Sequence, residues 1–197
     1  MSLEPVNRRR DVLESALDTF AKRGYRSTSM EEVAQRARIS RPGLYLYFSS
    51  KPELLRAAVE HALARDLERI EALLADGDLS LHDRLLQAFD LWSGQHVGPL
   101  VADLDGLLER DAALLGDIPQ TYSRRFSAAL TAALQRSRDD GFPAGLQAAR
   151  SAASMRELLL AISVGLKHRV ATPAEFHDGL DEALRLILRL PPLGDRQ

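Results

Sequence analysis

No cysteine occurs in the chain, which excludes disulfides, thiolate metal sites and a cysteine nucleophile and fits a reducing compartment. Aromatic residues are scarce, at 6%. Long apolar runs are missing too: nowhere do about eighteen apolar residues follow one another, and no apolar stretch stands behind basic residues at the N-terminus. The sequence therefore predicts a soluble, cytoplasmic protein with no membrane partner. The signatures of catalysis are also lacking. His61, His82, His96, His168 and His177 show no metal-ligand spacing, and Asp103-Leu104-Asp105-Gly106 lacks the rest of a calcium loop. There is no glycine loop to cradle phosphate and no G-x-S-x-G, so neither an enzyme nor a cofactor is expected.

What is present is enough apolar material for a core, 45% of 197 residues, with 27% charged. The formal net charge of −2 hides an asymmetry. Residues 1–51 carry ten Lys or Arg against six Asp or Glu, a net of +4, whereas residues 52–197 carry sixteen against twenty-two, a net of −6. The basic front suits an anionic partner.

Apolar spacing is helical almost throughout. Leu13, Ala16, Leu17, Phe20 and Ala21 make one stripe of a helix over 7–23, which Gly24 stops. Thr28 stands three before Glu31, the spacing of a capping box, and predicts a second, short helix through Val33, Ala34 and Ala37. Ser40 is a cap for a third helix of barely two turns, with Arg41 and Pro42 in its first turn. Two short helices joined by Ala37-Arg38-Ile39 have the order and length of a helix-turn-helix. Leu44 and Phe48 then face the core, whereas Arg41, Pro42, Tyr45 and Leu46 project from the other side, with Tyr47 between. Tyr47 and Lys51 are placed to reach phosphate.

This segment resembles the DNA-binding head of the TetR family of transcriptional repressors. The residues that carry the resemblance are Phe20, Ala21, Gly24 and Tyr25; Thr28, Glu31, Val33 and Ala34; Ser40, Leu44, Tyr45, Tyr47 and Phe48; and Lys51, Glu53, Leu54 and Leu55. The sequence departs from the family pattern at Arg38, where glycine is common in the turn, and at Leu46, where many members carry a polar or aromatic residue. A left-handed backbone at Arg38 would carry a modest penalty, and its side chain could add a phosphate contact. Leu46 cannot hydrogen-bond a base edge but can touch a thymine methyl.

The resemblance implies an all-α fold, with a three-helix head over 1–50 and a helical effector-binding and dimerisation body over 51–197. The DNA-contacting residues would be Thr28, Ser29, Arg38, Arg41, Pro42, Gly43, Tyr45, Leu46, Tyr47 and Lys51. Beyond the head, periodicity predicts helices over 51–75, 81–96, 100–115, 118–138, 144–168 and 173–190, with no internal repeat. The last two would pair with those of a second subunit through Ala152, Leu159, Ile162, Leu166, Leu180, Leu184, Ile187 and Leu188. Phe89, Trp92 and His96 follow at three and four, and with Tyr122, Phe126 and Met155 they are candidates for an effector pocket. The expected partners are thus a double-stranded operator with an inverted repeat, a small and mostly hydrophobic effector that releases a repressor from it, and a second copy of the chain. The competing reading is a helical protein-interaction module that keeps the head only as a scaffold.

Overall fold

A computed structural model describes residues 5–94, 97, 112–139 and 151–190. The described residues form nine helices and no strand. Helix α1, Pro5–Arg23, buries Val12, Leu13, Ala16 and Phe20. It ends on Gly24, whose N–H still reaches Phe20 O at 2.9 Å and whose φ of 78° turns the chain out of the helix.

Helix α2, Met30–Arg36, corrects the predicted cap by one residue. Its N-cap is Ser29, which accepts the Glu32 N–H. Thr28 is buried, and its hydroxyl donates to Gly24 O at 2.9 Å. Glu32 pairs with Arg23. At the end of α2, Ile39 N–H bonds Ala34 O at 3.0 Å and Arg38 N–H bonds Gln35 O at 3.1 Å. These two bonds make a Schellman ending, which needs a left-handed residue between them. Arg38 supplies it at a φ of 54°.

Helix α3, Arg41–Tyr45, is capped by Ser40, which accepts the Gly43 N–H at 3.1 Å. A Cβ at Gly43 would lie 3.1 Å from that hydroxyl oxygen, so the glycine keeps room for the cap. Leu44 and Phe48 are buried beneath it. Helix α2 packs on both α1 and α3.

Helix α4 runs Lys51–Ala75. Ser50 Oγ accepts the Glu53 N–H at 3.3 Å, while the Glu53 carboxylate takes the Ser49 N–H at 2.8 Å and its hydroxyl at 2.6 Å. The hydroxyl first, then the N–H, hold the exposed Glu53 below the usual carboxylate range against a smaller desolvation, with help from the Arg9 charge.

The chain divides into two compact units, Met1–Arg65 with Pro99–Thr121, and Asp66–Gly98 with Tyr122–Gln197. The first also holds the short α6, Ala112–Leu115, and Arg56 donates to Leu114 O at 3.3 Å. In the second unit lie α5, Leu81–Trp92, most of α7, Ile118–Asp139, and the helices α8, Ala152–Arg169, and α9, Pro173–Leu188. Helix α5 stops at Trp92, short of the predicted His96, and Ser93 caps it by donating its N–H to Phe89 O at 2.8 Å. The predicted segments over 100–111 and 144–150 lie outside the described residues, as does the tail from Pro191.

Helix α9 packs against both α5 and α8. His82 of α5 lies between Asp83, 3.1 Å from Nδ1, and Asp181 of α9, 2.8 Å from Nε2, and Arg185 donates to Asp181 at 2.8 Å. Burial would raise the Asp181 pKa, but Arg185 and His82 outweigh it and hold the carboxyl low.

This packing corrects part of the predicted dimer stripe. Leu180 and Leu184 are 0% exposed within one chain, Leu159 1%, Ala152 5% and Leu188 6%. Leu180 and Leu184 have no surface left to give a second subunit, and the other three almost none. Ile162, Leu166 and Ile187 are half-buried. The large apolar residues that α8 and α9 leave in solvent are Val164 and Leu186, with Leu190 just beyond α9.

Candidate nucleic-acid interface

One side of α3 is spent on the core and the other is open. Arg41, Pro42 and Tyr45, the first, second and fifth residues of α3, and Leu46, its C-cap, are all exposed. Their hundred-degree steps put them on one face. The Arg41 guanidinium carbon lies 5.8 Å from the Tyr45 ring centroid, and its Nε is 4.0 Å from Glu31. Gly43 and Tyr47 are half-buried. Ser29 is exposed; its oxygen caps α2 as an acceptor, which leaves the O–H to donate outward.

Two of the predicted contacts point inward. Thr28 is buried with its hydroxyl engaged, as described above. The Lys51 ammonium donates to Tyr25 O and Thr28 O at 2.9 Å each and approaches Arg26 O at 3.5 Å. It also sits 4.4 Å from the Tyr25 ring centroid. A lysine has three donors, and Lys51 uses them to clamp the turn between α1 and α2.

Ion pairs inside the head thin out its basic surface. Lys22 and Arg36 both meet Asp18, at 2.6 and 2.9 Å, and Arg23 meets Glu32. Arg8, Arg10, Arg26 and Arg38 make no ion pair among the described residues. The run Arg8-Arg9-Arg10 is the feature that motif spacing passes over. It is exposed near the start of α1, whose first turn carries no acidic residue. A helix start disfavours cations. Arg9 lies 5.3 Å over the Phe48 ring, which brings the run beside the end of α3.

The predicted effector residues fall in the second unit, apart from His96, which lies outside the described residues. Phe89 and Phe126 are fully buried and meet edge to face at 5.3 Å, and the Trp92 ring stacks on Phe126 at 4.3 Å. Tyr122 and Met155 are buried. Phe89 and Trp92 of α5 thus both meet Phe126 of α7. Among the described residues no group of His, Asp or Glu is arranged to hold a metal, and no helix is long and apolar enough to cross a membrane.

Comparison with known proteins places these features. Residues 12–58 match the model of the bacterial regulatory proteins of the tetR family. The HTH-type transcriptional regulator Mb3439c of Mycobacterium bovis is 30% identical over 129 residues, which cover 63% of this chain and 68% of the relative. Two HTH-type transcriptional regulators of Bacillus subtilis, YuxN and YfiR, are 37% and 36% identical over 67 and 64 residues, which cover 34% and 32% of this chain but only 23% and 31% of the relatives. A putative TetR-family regulator from Mesorhizobium loti superposes with a TM-score of 0.71 at 19% identity, covering 96% of this chain and 98% of that one. A putative transcriptional regulator from Saccharomonospora viridis, solved in complex with choline, superposes at 0.72 with 18% identity, covering 91% and 96%. An open α3 face above a buried Leu44 and Phe48, set in a chain that is helical among its described residues, thus has relatives along most of its length: the protein belongs to the TetR family of transcriptional regulators.

Proposed function

We propose that the chain is a homodimeric repressor that binds an inverted-repeat operator through α3 and is released by a small, mostly hydrophobic effector bound in the second unit. The observation that carries the operator reading is the division of α3 itself. A helix whose core side is complete, and whose other side presents Arg41, Pro42, Tyr45 and Leu46 to solvent, is built to enter a major groove. Arg41 can give a bidentate contact to guanine, while Ser29, Arg38, Tyr47, Arg8 and Arg10 supply phosphate contacts that set register without reading sequence. Gly43 brings the backbone close to that surface.

Val164 on α8, Leu186 on α9 and Leu190 just beyond it support the dimer, because water-exposed apolar residues favour burial against a second copy. Ile162, Leu166 and Ile187 are half-buried and can extend that contact. The effector reading rests on the Phe89, Trp92, Phe126 cluster, with Tyr122 and Met155 as further apolar wall. A ligand entering there must prefer the arrangement in which the two heads are wrongly spaced, and operator DNA must then weaken effector binding by the same factor. The test is selection of duplexes from a randomised library with the full chain. It should return an inverted repeat whose half-site centres lie about 34–36 Å apart or a multiple of that. Recovery of isolated half-sites would overturn the dimeric reading.

Arg38 offers a sharper check, because its left-handed backbone works against the fold. Arg38→Gly should raise stability by about 1 kcal/mol, since glycine adopts this conformation without a Cβ clash. It should also weaken operator binding and lower the magnitude of the salt slope by about 0.9 for the lost phosphate contact. Urea denaturation and a salt series on the same variant read both signs.

A further inference from the structure

The large apolar residues left exposed among the described ones are Tyr45, Leu46, Val164, Leu186 and Leu190. Three belong to α8, α9 and its end; the other two sit at the end of α3. Leu46 is the extreme case, 87% exposed, while Leu13, Leu44, Leu54, Leu55, Phe20 and Phe48 of the same unit are at most 2% exposed. A single exposed leucine is ordinary on a protein surface. This one is not isolated, because Pro42 lies four residues earlier on the same face of α3 and is exposed as well. Together they form an apolar strip without a side-chain donor or acceptor, flanked by Tyr45 and Arg41.

We infer that Leu46 is a specificity-determining residue that reads the 5-methyl group of one thymine in each operator half-site. This rests on the proposal that α3 enters a major groove. In that groove guanine shows N7 and O6, cytosine its amino group and adenine N7 with its amino group, all of which hold water. An isobutyl group pressed on any of them strips the water and returns no hydrogen bond, which is costly. Thymine alone presents an apolar group, the C5-methyl, so the same contact is favourable there and the three alternatives are rejected by desolvation. The basic surface around α1 and α3 holds the strip against an anionic duplex rather than against an apolar protein surface.

The test replaces each thymine of the selected duplex, one symmetric pair at a time, by deoxyuridine, which removes the methyl and leaves the pairing and O4 intact. One pair of positions should weaken binding of the wild-type chain about fifteenfold, roughly fourfold for each methyl taken out of contact. In Leu46→Ala, whose exposed position leaves the melting temperature unchanged, the thymine duplex should already be weakened by a similar factor, and deoxyuridine should then make no difference. A penalty that persists in Leu46→Ala, or the absence of any penalised thymine in the wild type, would overturn the inference while leaving operator binding intact. Failure to enrich any duplex would bring down the operator proposal, and this inference with it.

Discussion

Leu184→Asp should unfold the second unit, whereas Leu186→Asp, two residues later, should leave it folded and change only its association. Leu184 is 0% exposed in a single chain, on the side of α9 that packs toward α5 and α8, whereas Leu186 is 75% exposed. A carboxylate at 184 forfeits the leucine's burial and adds an unpaired buried charge, together about 4 kcal/mol or more. That is a large part of the roughly 5–15 kcal/mol that holds a domain. At 186 the charge stays in water in the isolated chain and is penalised only when a second copy covers it. Urea denaturation and sedimentation of the two variants read these effects separately. A Leu184→Asp chain as stable as wild type would contradict the packing, and an unchanged dimer of Leu186→Asp would move the interface elsewhere.

The second large effect is expected at Lys51. Alanine there removes the donor from Tyr25 O, Thr28 O and Arg26 O and the cation over the Tyr25 ring. Hydrogen bonds from a charged donor are the stronger kind, so a loss of about 2–3 kcal/mol in stability is expected. DNA binding should weaken for every sequence alike, because the turn that sets α2 against α1 loosens. The salt slope of the chain that remains folded should stay unchanged. A direct phosphate contact would instead lower the magnitude of the slope by about 0.9 with little loss of stability. Measuring unfolding and the salt series together decides between a clamp and a contact.

Much of the head was legible from residue order, because its elements are fixed by local chemistry. Gly24, the Ser40 cap and the Leu44 and Phe48 pair each depend on neighbours within about five residues. The cap of α2 is ambiguous in residue order for a related reason: Thr28 with Glu31 and Ser29 with Glu32 have equal spacing, and only the burial of Thr28 beside Gly24 selects the second. The reach of Lys51 to backbone carbonyls 23 to 26 residues away leaves no mark in side-chain patterning. The stripe Leu180, Leu184, Leu188 announces a buried helix face, but spacing cannot say whether its neighbour is α5 or a second chain. Leu186 falls off that stripe, so spacing gives it no partner and it stays at the surface. The aromatic cluster of α5 and α7 was legible as a cluster, yet periodicity does not distinguish packed rings from the wall of a cavity.

The most direct test is to titrate the full chain against the selected inverted repeat and against a scrambled duplex of the same composition over a range of salt concentrations. A homodimer that positions α3 through phosphate contacts and reads bases with its open face should prefer the selected duplex by about 10³-fold or more near physiological salt. With about six to ten phosphates engaged, the logarithm of its affinity should fall with the logarithm of salt at a slope of roughly −5 to −9. Equal affinity for the two duplexes, or affinity indifferent to salt, would contradict it.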